Sequence, residues 1–410
     1  MTTTLLTGAR LWDPDTDTIA DDINILIEGA LIREIADRPI KTKATINIDA
    51  GNRFVLPGLI DAHVHVIANA GDLNALARLS PYLVAARAKS TLEAMLMRGF
   101  TTVRDAGGAD HGLARAIEEG HFIGPRLFVS GLALAHRNGH GDYRAPGETD
   151  IGCPACRGFR SITRLVEDQA SILGAATEEL TGGADQIKIM ASGGLGSEKA
   201  LEVCFFEPEE IETVVKTAAG AGSYVMAHAY ASDAVRRCVE AGVASIEHGT
   251  LIDADTAALM AARGSSLVPT LGVFAALRDQ ARQVSQRSTR ADYLEELLRR
   301  SLTGLDIALS AGVRIGHGSD HEGATQHLQS REFAIRAEVM TPREILRSAT
   351  QTNARIMGLS DELGDLAPGK RADLLVVDGD PLNDVSVLAK PDSQLRLIMK
   401  DGQCFKNELS

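Results

Sequence analysis

The 410-residue chain is short of positive charge. Its 42 lysines and arginines face 55 aspartates and glutamates, a formal net charge of -13. So acidic a balance argues against a nucleic acid or an anionic membrane as partner. It leaves a small substrate open, because a pocket can carry the opposite sign locally. Cysteine is scarce too, with five residues: Cys153, Cys156, Cys204, Cys238 and Cys404. An odd, sparse set excludes a disulfide framework and points to a reducing compartment. Cys153 and Cys156 form a lone C-x-x-C in CPAC. A structural zinc would need a second ligand pair nearby, so a pair of loop thiols is the plainer reading. No apolar run approaches the roughly 20 residues of a membrane span. The opening MTTTLLTGARLWD lacks the basic stretch and sustained apolar core of a signal peptide. The chain reads as cytoplasmic.

An apolar share of 44% and a charged share of 24% are ordinary for a globular protein. Short apolar runs alternate with amphipathic stretches from about residue 55 to residue 358. Eight runs read as strands: 55–64, 101–107, 126–131, 184–191, 224–229, 245–249, 266–270 and 314–320. Helical patterns separate most of them; ITRLVEDQASILGAATEELTGG, for example, leads up to ADQIKIMA. Strands alternating with helices imply a parallel sheet, and eight such units imply a closed (β/α)8 TIM barrel. The two ends read differently. LLTGARLWD, INILIEGALIREIA and ATINIDAG alternate like antiparallel strands, as do ADLLVVDGD and LRLIMKDGQCFK. The expected plan is a catalytic barrel over 56–358 and a small β-sandwich from 1–55 plus 359–410. The stretch 133–160, rich in Gly, Pro and His, reads as a long loop of the kind that forms lids and pocket walls.

Candidate chemistry gathers at the strand ends. His63 and His65 are two residues apart, so a strand projects both imidazoles to one side, as metal ligation needs. Lys188 lies between Ile187 and Ile189. Burial there would lower its pKa. A neutral amine can take up carbon dioxide as a carbamate, an oxygen ligand able to bridge two cations. His228 ends YVMAHA and His248 ends SIEHG. Asp320 ends the eighth strand, where it suits a metal ligand, a proton carrier or a helix N-cap. In a barrel all these ends share one mouth.

PGLIDAHVHV, QIKIMASGG, AHAY, SIEHGT, HGSD and the tail LGDLAPGKRADLLVVDGDPL resemble the motifs of the amidohydrolase superfamily. More narrowly, the chain resembles the branch of Xaa-Pro dipeptidases and imidazolonepropionase-related hydrolases, with ochratoxin-, phenylurea- and molinate-hydrolysing relatives. The resemblance implies two divalent metal ions, zinc first, with manganese or cobalt as substitutes. His63 and His65 would bind one, His228 and His248 the other. Lys188, carboxylated, would bridge them, and Asp320 would complete the first. It further implies that His140 in NGHGDY and Tyr230 in AHAY hold the substrate and stabilise its oxyanion, while Asp320 moves the proton. His140 also fits an ordering role in its loop, and Tyr230 one in packing. The segment GHGSDHEG departs from the family's Thr-Asp pair. It places Ser319 before Asp320 and adds His317, which parity turns away, and His321, which lies where it could touch substrate.

The resulting expectation is a two-metal hydrolase of a carbon–nitrogen bond. The amide of an N-acyl amino acid or dipeptide is the leading substrate. Arg137, Arg144 and Arg331 are the candidates for a substrate carboxylate. Aryl-urea or carbamate hydrolysis is one alternative. Another is a mononuclear heterocycle deaminase, against which Lys188 counts, and the last is a non-catalytic scaffold. The resemblance also implies a homo-oligomer.

Overall fold

Alternation of apolar and polar residues at the chain's start builds long strands. The computed structural model describes residues 2–70, 73–76, 78–144, 161–195 and 200–409. It divides into two units, one of residues 1–61, 93–102 and 330–410, the other of 62–92 and 103–329.

The first unit holds a seven-stranded sheet fed by both termini. From edge to edge its strands are Gln403–Asn407, Leu395–Lys400, Leu374–Val377, Ile46–Pro57, Thr3–Asp13, Thr18–Glu28 and Leu31–Ala36. Inward positions such as Leu6, Ile25, Ile27, Ile48, Leu374, Val376 and Leu397 meet in one buried cluster, as the two-residue period of a strand requires. One pairing differs from the antiparallel expectation: Thr3–Asp13 runs parallel to Ile46–Pro57. The hairpin partners Thr18–Glu28 and Leu31–Ala36 intervene and return the chain in its original direction.

The second unit is built on parallel strands. Ala133–His136, Ile187–Met190, Val225–Ala231, Ser245–Leu251, Ser266–Val268 and Arg314–Ile315 pair in that order, each parallel to the next. Residues 62–64 of the strand Leu59–Val64, 103–105 of Phe100–Asp105 and Arg126–Phe128 contribute to a second sheet, of three strands. The Ala62 amide donates to His317 O at 2.8 Å and the Asp320 amide to His63 O at 2.9 Å, joining the first and last of these strands. The arrangement is consistent with a (β/α)8 barrel. Val225–Ala231 is buried at every position, which explains why it reads as a continuous apolar run rather than an alternating one.

Two local readings change. The third strand is broken into Arg126–Phe128 and Ala133–His136. Gly131 turns between them at φ +63°, where a Cβ would meet Glu179 Oε2. Residues Thr163–Val166, expected as the start of a helix, instead pair parallel with Ala133–His136. The helix begins only at Gln169, because Asp168 caps it: its side chain accepts from the Ser171 amide at 2.8 Å. The long loop therefore starts after His136. Cys153 and Cys156 lie outside the described residues. Among the described residues no helix is long and apolar enough to cross a membrane.

Candidate metal centre

His63 is the last residue but one of Leu59–Val64, and His65 follows the strand's end. Both rings are buried, with centroids 5.4 Å apart. Asp320 Oδ1 reaches His63 Nε2 at 3.2 Å and His65 Nε2 at 3.4 Å. One ligand atom from each of the three lies within 4.8 Å of the others, a group that can hold a metal ion. His248 packs against His63 at 5.2 Å and against His228 at 4.6 Å, centroid to centroid. His140 stacks on His228 at 4.4 Å. Lys188 is buried in the middle of Ile187–Met190.

One cavity of about 290 Å³ is lined by His63, His65, Lys188, His228, His248 and Asp320 together with His140 and Tyr230. His321 is buried yet is not among the residues lining it. The reason is local: Asp320 has left-handed backbone, φ +54°, so the alternation of a strand does not carry past it. His317, also buried, is likewise absent from the lining. No helix starts at Asp320; a 3-10 turn follows at Gly323–Leu328, which sets the N-cap reading aside.

Whether these groups suit a cation can be judged from their other bonds. A carbonyl or carboxylate only accepts, so the ring nitrogen facing it carries the hydrogen. His63 Nδ1 faces Glu247 Oε2 at 2.6 Å, and His65 Nδ1 faces Gly107 O at 3.2 Å. His228 Nε2 faces Gly193 O at 2.9 Å. His248 Nδ1 contacts Thr270 Oγ1 at 2.7 Å. Each ring is thus oriented through one nitrogen, and in His63, His65 and His228 the opposite nitrogen is the one turned to a candidate cation, the pattern of metal-binding histidines. Burial drives the His228 and His248 pKa well below the usual 6.5, keeping both rings neutral. His65 is the exception: burial lowers its pKa, but Asp320 outweighs that and raises it to about 9. Burial also opposes the Asp320 charge, yet His63, His65 and His248 hold its carboxyl well below the usual range. The carboxylate therefore draws positive charge to this point, which a metal satisfies as a proton does. For Lys188, burial brings the pKa down to about 8.

The sequence did not point to the groups behind these candidate ligands. Glu247 and Arg104 are fully buried; Arg104 Nη2 donates to Glu247 Oε1 at 3.0 Å and its Nε to Ala62 O at 2.7 Å. Their signal is present in SIEHG and TTVRDAG, where a charged residue interrupts an apolar strand. Glu322 and Tyr143 also line the cavity. Burial pushes the Glu322 carboxyl up to about 7 and the Tyr143 phenol well above 10. His248, Thr270 and Asp320 all adopt positive φ, at 73°, 49° and 54°. Such backbone is strained for these residues, and for β-branched Thr270 above all, and it clusters where geometry serves function.

Residues 54–404 match the amidohydrolase family. The chain belongs to that family. It is accordingly a hydrolytic enzyme acting on carbon–nitrogen bonds. It is 28% identical over 390 residues to an ochratoxinase from Aspergillus niger, covering 92% of this chain and 81% of that protein. A solved amidohydrolase structure is 43% identical with a TM-score of 0.94, covering all of both chains. A prolidase structure complexed with N-methylphosphonate-L-proline is 39% identical with a TM-score of 0.94, covering 99% of this chain and 100% of that one.

The close quarters of this amidohydrolase's cavity set one expectation. A Cβ on Gly194 would lie 2.6 Å from His140 Nε2 and 2.8 Å from His228 Cε1. Gly194→Ala must displace at least one ring, and a shift near 1 Å costs on the order of 10²-fold in rate. Steady-state kinetics on the folded variant check this; unchanged kcat would show that neither ring needs its present position.

Proposed function

We propose that the protein is a two-metal hydrolase that cleaves the amide of an N-acyl amino acid or a dipeptide. The observation that carries this reading is the set of four oriented histidines, Lys188 and Asp320 on one cavity. The likeness to a prolidase holding a proline phosphonate supports the substrate class. His63, His65 and Asp320 would hold one cation and His228 and His248 the other, with Lys188 as its carbamate between them. Mixed imidazole and carboxylate donors favour zinc, with manganese or cobalt as substitutes. A bound metal pair supplies Lewis-acid polarisation of the carbonyl and lowers the pKa of water to near neutrality.

The chain's own residues do the rest. Lys188, with its pKa brought down by burial, is partly neutral near pH 8 and so can take up carbon dioxide. His140 is kept neutral, burial and then Lys188 lowering it to about 4. Its Nδ1 makes no hydrogen bond within the described residues. Tyr230, whose phenol burial pushes far above 10, remains a hydrogen-bond donor. Both are suited to donate to the substrate's carbonyl oxygen as charge develops there. Asp320, held ionised, accepts the proton of the attacking water and returns it to the leaving nitrogen. Without that return, the amine would have to depart as a poor anionic leaving group.

The reading extends to the first unit, whose single sheet would fold over its buried cluster as a two-layer sandwich. A cytoplasmic homo-oligomer is the setting that the sparse cysteines and the family resemblance support.

The test is metal analysis beside activity. Zinc-loaded protein should carry close to two metals per chain and hydrolyse members of a panel of N-acyl amino acids, Xaa-Pro dipeptides and aryl amides. Chelation should abolish that activity and zinc restore it. Lys188→Ala should lose metal, with partial recovery in a short carboxylic acid that stands in for the carbamate. Full activity in metal-free protein would sink the proposal. One metal per chain with deamination of a heterocycle would favour the mononuclear alternative.

A further inference from the structure

Two of the three arginines first considered for a substrate carboxylate are committed elsewhere. Arg137 is ion-paired with Glu167. Arg144 forms a two-pronged pair with Asp142, at 2.8 and 2.7 Å. Neither of them, nor Arg331, is among the residues lining the cavity. Arg290 is. It stands in the first turn of the helix Thr289–Ser310, whose N-cap Ser288 accepts from the Ala291 amide at 3.3 Å.

Its neighbours on this helix and on Gly272–Val284 show what an ordinary arginine does here. Arg278 and Arg282 share Glu295, at 3.0 and 3.2 Å. Arg299 pairs with Glu296 at 2.6 Å. Among the described residues no carboxylate pairs with Arg290. Among the described residues Lys188 is the only other lysine or arginine lining the cavity, and it is buried among the candidate metal-binding groups. Met190, Leu195, Val273 and Leu277 give the same cavity an apolar wall.

We infer that Arg290 is a specificity residue that receives a carboxylate borne by the leaving amine of the substrate. The inference rests on the amide-hydrolase reading and deepens it. The preferred substrates are amides of amino acids with a free α-carboxylate and an apolar side chain, in preference to their neutral counterparts. A guanidinium suits this task because its fixed fork matches both carboxylate oxygens. An ammonium on the amine side would be repelled by the same group, so the chemistry selects an anion.

The experiment compares zinc-loaded wild type, Arg290→Met and Arg290→Lys on N-acetyl-L-leucine and N-acetyl-L-leucinamide, and on a second such pair built on L-proline. A charge-assisted hydrogen bond of ordinary strength predicts a rise in KM for the acids of about 10- to 100-fold in Arg290→Met. kcat should change little, since the contact holds the substrate in its ground and transition states alike. The amides should be indifferent to the substitution, and Arg290→Lys should recover part of the loss. Equal effects on acid and amide, or none on either, would overturn the assignment. If wild type cleaves no member of the panel, the hydrolase reading fails on its own. Calorimetric titration with the same acids and amides then decides the assignment: wild type should favour the acids and Arg290→Met should not, and no preference in wild type overturns it.

Discussion

Asp320→Asn should lower kcat/KM by about 10²- to 10⁴-fold, the range typical for loss of a positioned proton carrier. The side chain keeps its shape but can no longer accept a proton. Its neighbours also feel the change. The carboxylate lies 3.2 Å from His63 Nε2 and 3.4 Å from His65 Nε2, and it holds its charge against burial because these rings face it. The amide offers them only a dipole. Metal analysis separates the two consequences. A variant that keeps its metal and loses kcat has lost proton transfer; one that loses metal has lost a ligand. Retention of wild-type kcat would remove Asp320 from the mechanism altogether.

The second large effect is on stability. Arg104→Met should destabilise the fold by about 3–5 kcal/mol, the usual consequence of stripping one partner from a buried ion pair. Arg104 and Glu247 are both fully buried. The guanidinium binds Glu247 Oε1 at 3.0 Å, and Ser245 Oγ donates to the same oxygen at 2.6 Å. Equilibrium unfolding in denaturant measures the loss. Adding Glu247→Gln should return part of the stability, because the stranded charge is removed. It should not return activity, since His63 Nδ1 would face an amide where it now faces Glu247 Oε2 at 2.6 Å. A double variant no more stable than Arg104→Met would contradict this account.

The same pair sets an acid dependence. Burial opposes ionisation of Glu247, but Arg104 and His63 overcome it and hold the carboxyl at about 2, below the ordinary 4.5. A folded-state pKa below the unfolded one stabilises the fold fully above the unfolded value. That contribution fades as pH falls from 4.5 towards 2. The stability of Arg104→Met should accordingly be less sensitive to pH across that window than that of wild type.

Much of the candidate site was legible because strand geometry is local. His63 and His65 share a side of the chain by parity, Lys188 interrupts an apolar run, and His228, His248 and Asp320 each lie at the end of one. Their meeting on one cavity follows from parallel strands bringing their C-terminal ends to one mouth. The extra strand Thr163–Val166 was not legible. Its residues continue the helical pattern, and only pairing with Ala133–His136 decides against it. His321, expected where it could touch substrate, is not among the residues lining the cavity, because the left-handed turn at Asp320 breaks the parity that would have aimed it.

The sequence by itself determined the alternation of strand and helix, the residues closing each strand, and the family that those motifs mark. These depend on neighbours a few residues apart, where period and spacing suffice. Only the tertiary structure decided what stands behind and around the ligands. Glu247 meets His63 across 184 positions of sequence, and Arg104 meets Glu247 across 143. Arg290 faces the cavity while Arg137 and Arg144 are taken up by local carboxylates. Ion pairing and burial are set by whichever groups the fold brings within a few ångströms, and no local period records that.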